Sequence, residues 1–238
     1  MKRFLFRPFK WLGTKIDDDR RSYRRGLEEK LQSWRYAQTN DKEVYERDPE
    51  LDAVKNAELL AKNDPQAALL QLCALAERGS VWSMLLAGWA YQSGNGVEAD
   101  QAQAERWYRR ALEGGCQQAQ LRLGYIYTAR GDLDRCEEVY QIGAGEHWAP
   151  AMYYLARTKQ SQPKTPERLE EVRILLEQAA GQGDVGAQLE LAHFLVRGRY
   201  GLHRIPAGIR LGLDAVKKAA AFVDRDTPPR DGPKVAAL

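Results

Sequence analysis

The chain has 238 residues, of which 44% are hydrophobic, and a net charge of +3 at neutral pH. This composition is ordinary for a folded soluble protein and excludes wholesale disorder. The net charge is small for the length, and the sequence lacks the basic stripe that is typical of nucleic-acid binders. The three cysteines, Cys73, Cys116 and Cys136, have no metal-ligand spacing, which predicts reduced thiols in a cytosolic protein.

Residues 1–16 form a basic, aromatic segment. Five cations precede the first acid and alternate with apolar residues, while Pro8 interrupts the apolar run, which is too short for a secretory signal or a membrane span. We expect an interfacial segment whose aromatic side chains contact a membrane surface. The residues expected to make that contact are Phe4, Phe6, Phe9 and Trp11. The alternatives are a disordered end and an end docked on the chain's own helices or on a partner.

Residues 17–47 predict an amphipathic helix. Tyr23, Leu27, Leu31 and Trp34 follow at helical spacing after a run of aspartates that suits a helix start. Its apolar side is expected to cover an exposed end of the fold or to pair with another helix. The cations from Arg20 to Arg25 leave weak, salt-dependent nucleic-acid binding as an alternative.

Residues 49–79 predict a first helical hairpin, with the turn KNDP between two apolar-periodic arms. Residues 83–115 predict a second and better marked hairpin. Gly94 and Gly96 supply the backbone freedom for its turn, Asp100 is placed to cap the second arm, and Gly114-Gly115 ends it.

This second hairpin recurs along the chain. Taking the small residue that opens each first arm as a register mark gives Ser83, Ala119, Ala151 and Ala187, spaced 36, 32 and 36 residues apart. Five residues after each mark comes another small residue, which forms a waist where a second helix can approach closely. These waist residues are Gly88, Gly124, Ala156 and Ala192. Such a period indicates stacked helical repeats.

The second hairpin resembles the Sel-one-like repeat (SLR) family, a relative of the tetratricopeptide repeats. The residues that carry the match are Gly88, Tyr91, Gly94, Gly96, Val97, Trp107, Tyr108, Ala111 and Gly115. The resemblance covers about residues 49–222, closely in one copy and by register in the others. It implies an all-α, right-handed α-solenoid of about five hairpins that follows the N-terminal amphipathic helix. The expected domains are residues 1–16, 17–47, a solenoid at 48–223, and a disordered tail at 224–238.

The tetratricopeptide-like geometry also implies a concave binding surface formed by the first arms. Positions two before and two after the register leucine are expected to face the groove and contact a partner. The first ladder is Leu85, Leu121, Tyr153 and Leu189. The second ladder is Trp89, Tyr125, Arg157 and His193. A flanking row consists of Gln92, Thr128, Gln160 and Val196. Packing of Trp89 and Tyr125 in the core is the alternative, and burial of both would refute the groove assignment.

The motifs that signal catalysis are missing from the sequence. His147, His193 and His203 have no metal-ligand partner at helical spacing, and no phosphate-binding loop or nucleophile elbow occurs. We therefore expect a non-enzymatic adaptor that binds a protein or peptide partner, without cofactor, metal or small-molecule substrate. The expected location is the cytoplasm, with the N-terminus at the inner membrane or on another subunit. A hydrolase built on the repeats is the alternative, with Ser93 and His193 as its candidate residues.

Overall fold

The structure, a computed structural model, describes residues 39–163 and 165–224, with side chains described as far as residue 218. All regular structure in these ranges is helical. The helices are α1 (Asp41–Glu46), α2 (Leu51–Leu60), α3 (Pro65–Glu77), α4 (Val81–Ser93), α5 (Gln101–Glu113), α6 (Gln117–Arg130), α7 (Leu133–Gly145), α8 (Ala149–Gln160), α9 (Pro166–Gly181), α10 (Val185–Val196) and α11 (Ile205–Asp224), with a 3-10 turn at Leu202–Arg204. The predicted membrane-contact residues, most of the predicted amphipathic helix and the predicted tail lie outside the described residues.

From α2 onwards, each helix packs against the next one in the sequence. The pairs α2/α3, α4/α5, α6/α7, α8/α9 and α10/α11 are the five predicted hairpins, so the prediction of an α-solenoid is confirmed. The hairpin at residues 49–79 packs with the rest of the solenoid, because Val54 and Leu72 belong to the same core cluster as Trp82 and Tyr108 of the second hairpin. A further cluster continues the core through the last two hairpins.

The helix boundaries follow from capping side chains and left-handed residues. Asp100 accepts hydrogen bonds from the backbone N–H groups of Ala102 and Gln103, as the sequence predicted. Gly94 and Gly96 have φ values of 76° and 73°, which confirms their role in the turn. The junctions between hairpins use the left-handed residues Gly79, Gly115, His147 and Gly183. His147 is the non-glycine member, with φ 58°.

The small waist residues let the two arms of a hairpin come together. A Cβ atom on Gly88 would lie 2.7 Å from the Tyr108 ring, and one on Gly124 would lie 1.9 Å from the Tyr140 hydroxyl oxygen. The tyrosines of the second arm therefore occupy the space that the missing side chains leave. In the copies whose waist is alanine, the same register position of the second arm carries Leu176 and Gly212.

Residues 39–48 form an edge strap that crosses the junctions between hairpins. The Asn40 side-chain N–H donates to the Gly115 carbonyl (2.8 Å), and the Gln117 backbone N–H donates to Asn40 Oδ1 (3.1 Å). At the other end of the strap, Asp48 accepts hydrogen bonds from the Ser80 hydroxyl (2.9 Å) and the Trp82 backbone N–H (3.0 Å). The strap thus ties together the first, second and third hairpins.

Candidate functional site

The second ladder of predicted partner-binding residues is accessible. Tyr125 is 60% exposed, Arg157 and His193 are exposed, and Trp89 is half-buried. These side chains come from α4, α6, α8 and α10, which are the first arms of four successive hairpins. The outcome that would have refuted the groove assignment, burial of both Trp89 and Tyr125, is not observed.

The first ladder lies deeper. Leu85, Leu121 and Tyr153 are buried, while Leu189 is half-buried. Leu85, Leu121 and Leu155 belong to one core cluster, and Tyr153 and Leu191 belong to the next, so the first ladder lies at the edge of the core. A direct contact between the first ladder and a partner stays a prediction.

The residues of the flanking row differ in how exposed they are. Gln92 is half-buried and its side-chain oxygen accepts a hydrogen bond from the Tyr108 hydroxyl (2.7 Å). Gln160 is also half-buried, whereas Thr128 and Val196 are exposed. Gln92 therefore links the two arms of its own hairpin in addition to lining the predicted surface.

A cleft of about 200 Å³ opens where α6, α7 and α8 meet. Its lining residues are Leu121, Tyr125, Thr128, Leu133, Tyr140, Tyr154, Arg157, Thr158 and Ser161. Leu121, Tyr125, Thr128 and Arg157 were predicted from the sequence as partner-binding residues. The structure therefore brings together predicted positions from two neighbouring hairpins around one depression.

Stacked tyrosines form one wall of this cleft. The Tyr140 and Tyr154 rings lie 5.2 Å apart with an interplanar angle of 16°, and Tyr153 meets Tyr154 edge-on at 5.3 Å. Arg157 extends over Tyr153, with the guanidinium carbon 5.8 Å from the ring centroid. Aromatic rings next to a guanidinium group offer large contact area together with a polar handle, which is the composition that dominates many protein interfaces.

The polar side chains of the cleft can still form hydrogen bonds with a bound segment. The hydroxyls of Thr128, Thr158 and Ser161 donate to carbonyl oxygens of their own helices, at 2.7, 3.0 and 3.2 Å. Their oxygen lone pairs can still accept, so they suit N–H donors on an incoming segment. Arg157 is the charged residue of the lining, and it supplies donors for a carboxylate or carbonyl group.

Sequence reasoning missed five cleft residues, of which the stacked Tyr140 and Tyr154 contribute most of the aromatic surface; the other three are Leu133, Thr158 and Ser161. Tyr140 occupies the register position of Tyr108 in the second arm, so the repeat pattern contained a signal for its placement. Tyr154 carries no comparable signal. Its stacking on Tyr140 depends on how far one hairpin is rotated relative to the next, which the spacing of repeats does not determine.

The residues of the alternative hydrolase are not assembled into a site. The Ser93 hydroxyl donates to the Trp89 carbonyl of its own helix (2.9 Å), and His193 lies in the last hairpin, three repeats further along the chain. In residues 39–163 and 165–224, no cluster of three or more His, Cys, Asp or Glu side chains could hold a metal ion. None of the helices within these ranges has the length and hydropathy needed to cross a bilayer.

The cysteines are free thiols in the structure. Cys116 and Cys136 are buried, and burial raises the pKa of Cys116 to about 12. Cys73 is only half-buried, and burial also raises the pKa of its thiol. A raised pKa keeps a thiol protonated at neutral pH, so none of the three has the character of an activated nucleophile.

Comparison with known proteins identifies structures that share this fold. No protein-family model and no curated protein matches the sequence. A solved Sel1 repeat protein from Oxalobacter formigenes is 18% identical, with 80% of this chain and 86% of that protein aligned at a TM-score of 0.52.

A protective antigen present in uropathogenic Escherichia coli strains, which displays an SLR fold, is 22% identical at a TM-score of 0.57. The alignment covers 89% of this chain, which spans about half of the antigen's length (52%). The successive hairpins, the waist residues and these two structural likenesses lead to one conclusion: the chain has the Sel-one-like repeat fold.

Proposed function

We propose that this protein is a non-enzymatic scaffold that binds a segment of a partner protein along the surface formed by its first arms. The observation that carries the proposal is the cleft between α6 and α8, which exposed Tyr125 and Arg157 line together with the stacked rings of Tyr140 and Tyr154. Repeat folds of this kind provide extended surfaces for protein partners, because each hairpin adds one more set of first-arm side chains.

The chemistry of the cleft indicates the kind of segment it accepts. Its volume and its tyrosines suit one aromatic or large aliphatic side chain, and Arg157 suits a carboxylate that lies close to that side chain. The exposed ladder continues past the cleft to Trp89 on one side and His193 on the other. The preferred partner segment is therefore apolar with an acidic residue nearby, and it is long enough to cross several hairpins.

Site-specific photo-crosslinking tests this proposal in cells. A photoreactive phenylalanine analogue replaces Tyr125 in one variant and His193 in another, and the crosslinked peptides are identified by mass spectrometry. Both positions are expected to capture the same partner segment. Adding Arg157→Ala to the Tyr125 variant should lower the crosslinking yield by about tenfold, as expected for an interface residue of this type.

Gln141 provides the matched control position, because it is exposed on the second arm α7 and lies outside the cleft lining. The analogue at Gln141 should capture neither the segment nor the same protein. Identical crosslinks from Gln141 and Tyr125, or the absence of a shared segment at Tyr125 and His193, would reject the scaffold proposal in this form.

A further inference from the structure

The last helix exposes an apolar surface at the end of the solenoid. Ile209, Leu213 and Val216 are 51%, 58% and 53% exposed, and their spacing places them on one side of α11. Leu202, in the turn that precedes α11, is 76% exposed. We call these four residues the terminal apolar stripe. The opposite side of α11 is buried through Gly208 and Ala215.

In the second arms of the second, third and fourth hairpins, the positions that correspond to Ile209 and Leu213 are polar. Ile209 corresponds to Glu105, Glu137 and Arg173, and Leu213 corresponds to Arg109, Gln141 and Glu177. Several of these residues form ion pairs with the element that follows. Glu105 pairs with Arg130 (2.6 Å), Glu137 with Lys159 (2.6 Å), and Glu177 with Arg204 (3.4 Å).

Exposed apolar side chains at these two positions are therefore specific to the last hairpin, because the corresponding Leu69 and Cys73 of the first hairpin are buried and half-buried. A repeat array that ends in water normally needs a polar outer face, since no neighbour covers it. At the other end of the array, the exposed side of α2 carries Asp52, Lys55 and Asn56 beside a single leucine, Leu59. Helix α11 does the opposite, which indicates that its outer face contacts something apolar.

The charge around the stripe indicates what that contact is. Residues 197–218 contain six Lys or Arg residues and a single acid, Asp214. Arg210 and Lys217 are exposed, and each directly follows a stripe residue in the sequence of α11. A second copy of this chain, paired through the same face, would bring these cations against each other. An anionic lipid surface accepts both the cations and the apolar side chains.

A lipid surface also fits the extent of the patch better than a single partner helix does. Leu202 lies in the turn that precedes α11 and is also exposed, so the exposed apolar side chains of this hairpin are not confined to one helix. Cations that flank apolar side chains can keep their charged ends at the headgroups while their stems remain in the apolar layer.

We propose that the terminal apolar stripe rests on an anionic membrane surface, with Arg210 and Lys217 at the lipid headgroups. The contact is peripheral, and it orients the solenoid with its last hairpin against the lipid. The first-arm cleft lies between the third and fourth hairpins, away from α11 in the fifth, and stays available for a partner. This proposal is independent of the scaffold function, because a lipid contact at α11 can exist whatever the cleft binds.

Vesicle co-sedimentation of the full-length protein tests the proposal. The probes are vesicles of three parts phosphatidylcholine to one part phosphatidylglycerol, and vesicles of phosphatidylcholine alone. The variant Ile209→Ser/Leu213→Ser should bind the anionic vesicles at least about tenfold more weakly than the wild type, since it removes two apolar contacts. The variant Arg210→Gln/Lys217→Gln should lose most of its preference for anionic over neutral vesicles.

The control variant is Leu59→Ser/Leu70→Ser, which changes two leucines of the first hairpin that are 59% and 69% exposed. It should bind vesicles like the wild type. Because residues 1–16 are themselves predicted to contact membranes, each variant is also measured in a full-length background in which Phe4, Phe6, Phe9 and Trp11 are serine. Circular dichroism verifies that every variant keeps its helical content.

Two results would overturn the proposal. One is unchanged vesicle binding by Ile209→Ser/Leu213→Ser in both backgrounds. The other is a change in oligomeric state, measured by light scattering during size-exclusion chromatography, that accompanies this variant without any change in vesicle binding. That second result would assign the stripe to contact with a second copy.

Discussion

Replacing Gly124 by alanine probes the close approach that shapes the candidate cleft. A Cβ atom at this position would lie 1.9 Å from the Tyr140 hydroxyl oxygen and 2.2 Å from the ring carbon that bears it. Tyr140 is buried, and its ring stacks on Tyr154 at 5.2 Å. The ring is rigid, so Gly124→Ala has to displace Tyr140 as a whole and disturb the wall of the cleft.

The magnitude follows from two opposing effects. Overpacking a core position costs up to about 3 kcal/mol, whereas alanine in place of glycine inside a helix gains about 1 kcal/mol. We expect Gly124→Ala to lower the free energy of unfolding by about 2 kcal/mol. For a chain of this size, that corresponds to a fall in Tm of roughly 4–8 °C.

Urea denaturation followed by circular dichroism measures this change, and near-ultraviolet spectra report the tyrosine environment. Gly145→Ala is the matched control, because it adds the same methyl group to the adjacent helix at a site with nothing within 4 Å. It should leave stability unchanged or slightly raised.

The double variant Gly124→Ala/Tyr140→Leu reproduces the pairing of the fourth hairpin, where Ala156 and Leu176 occupy these positions. The double variant should be more stable than the sum of the two single changes predicts, by at least about 1 kcal/mol. If Gly124→Ala proves as stable as Gly145→Ala, the close contact with Tyr140 does not exist and the reasoning is wrong.

Three further changes test other parts of the fold by the same unfolding measurements. His147→Gly should raise the free energy of unfolding by about 1 kcal/mol, because glycine adopts the left-handed backbone conformation of this position with less steric strain, and a loss of stability would contradict this. Burial raises the pKa of Asp41 to about 6. Between about pH 4 and pH 6 the folded state therefore keeps a proton that the unfolded state releases, so the contribution of Asp41 to stability falls as the pH rises through this range. Asp41→Asn should therefore gain up to about 3 kcal/mol over the wild type at pH 7 and little at pH 4; a pH-independent difference would count against it. Asp48→Ala removes the acceptor for Ser80 and Trp82 and should cost about 2–3 kcal/mol, whereas a loss below about 0.5 kcal/mol would show that water replaces those bonds.

The repeat architecture was predictable from local signals. The turn glycines Gly94 and Gly96, the capping residue Asp100 and the spacing of Ser83, Ala119, Ala151 and Ala187 are all short-range features, and the structure places them as predicted. The first hairpin was predicted as well, although it lacks the small waist. A helical hairpin needs only its own periodicity and turn to be identified from sequence.

The edge strap was not predictable in the same way. Asn40 and Asp48 satisfy backbone groups 75 and 34 residues further along the chain, and no pattern within residues 39–48 points to those partners. The predicted amphipathic helix was assigned to residues 17–47, and its last part contains the short helix α1 of the strap. Long-range polar contacts of this kind depend on the assembled surface, which exists only after the hairpins have stacked.

The candidate site, too, was predictable only in part. The repeat register predicted that Trp89, Tyr125, Arg157 and His193 share one face, and all four remain at least partly exposed. The register alone did not separate them from the buried Leu85, Leu121 and Tyr153, because residues four positions apart lie on the same face of a helix. The cleft itself depends on the rotation between neighbouring hairpins, which sequence spacing leaves open.

The edge strap has a consequence for how the molecule opens. Stacked repeats that touch only their immediate neighbours can fray from either end, one unit at a time. Here the bonds of Asn40 and Asp48 make the first three hairpins a single cooperative block, so that opening any of them requires release of the strap. Amide hydrogens in these three hairpins, α2 to α7, should therefore exchange with solvent together and late, whereas those of α10 and α11 exchange early.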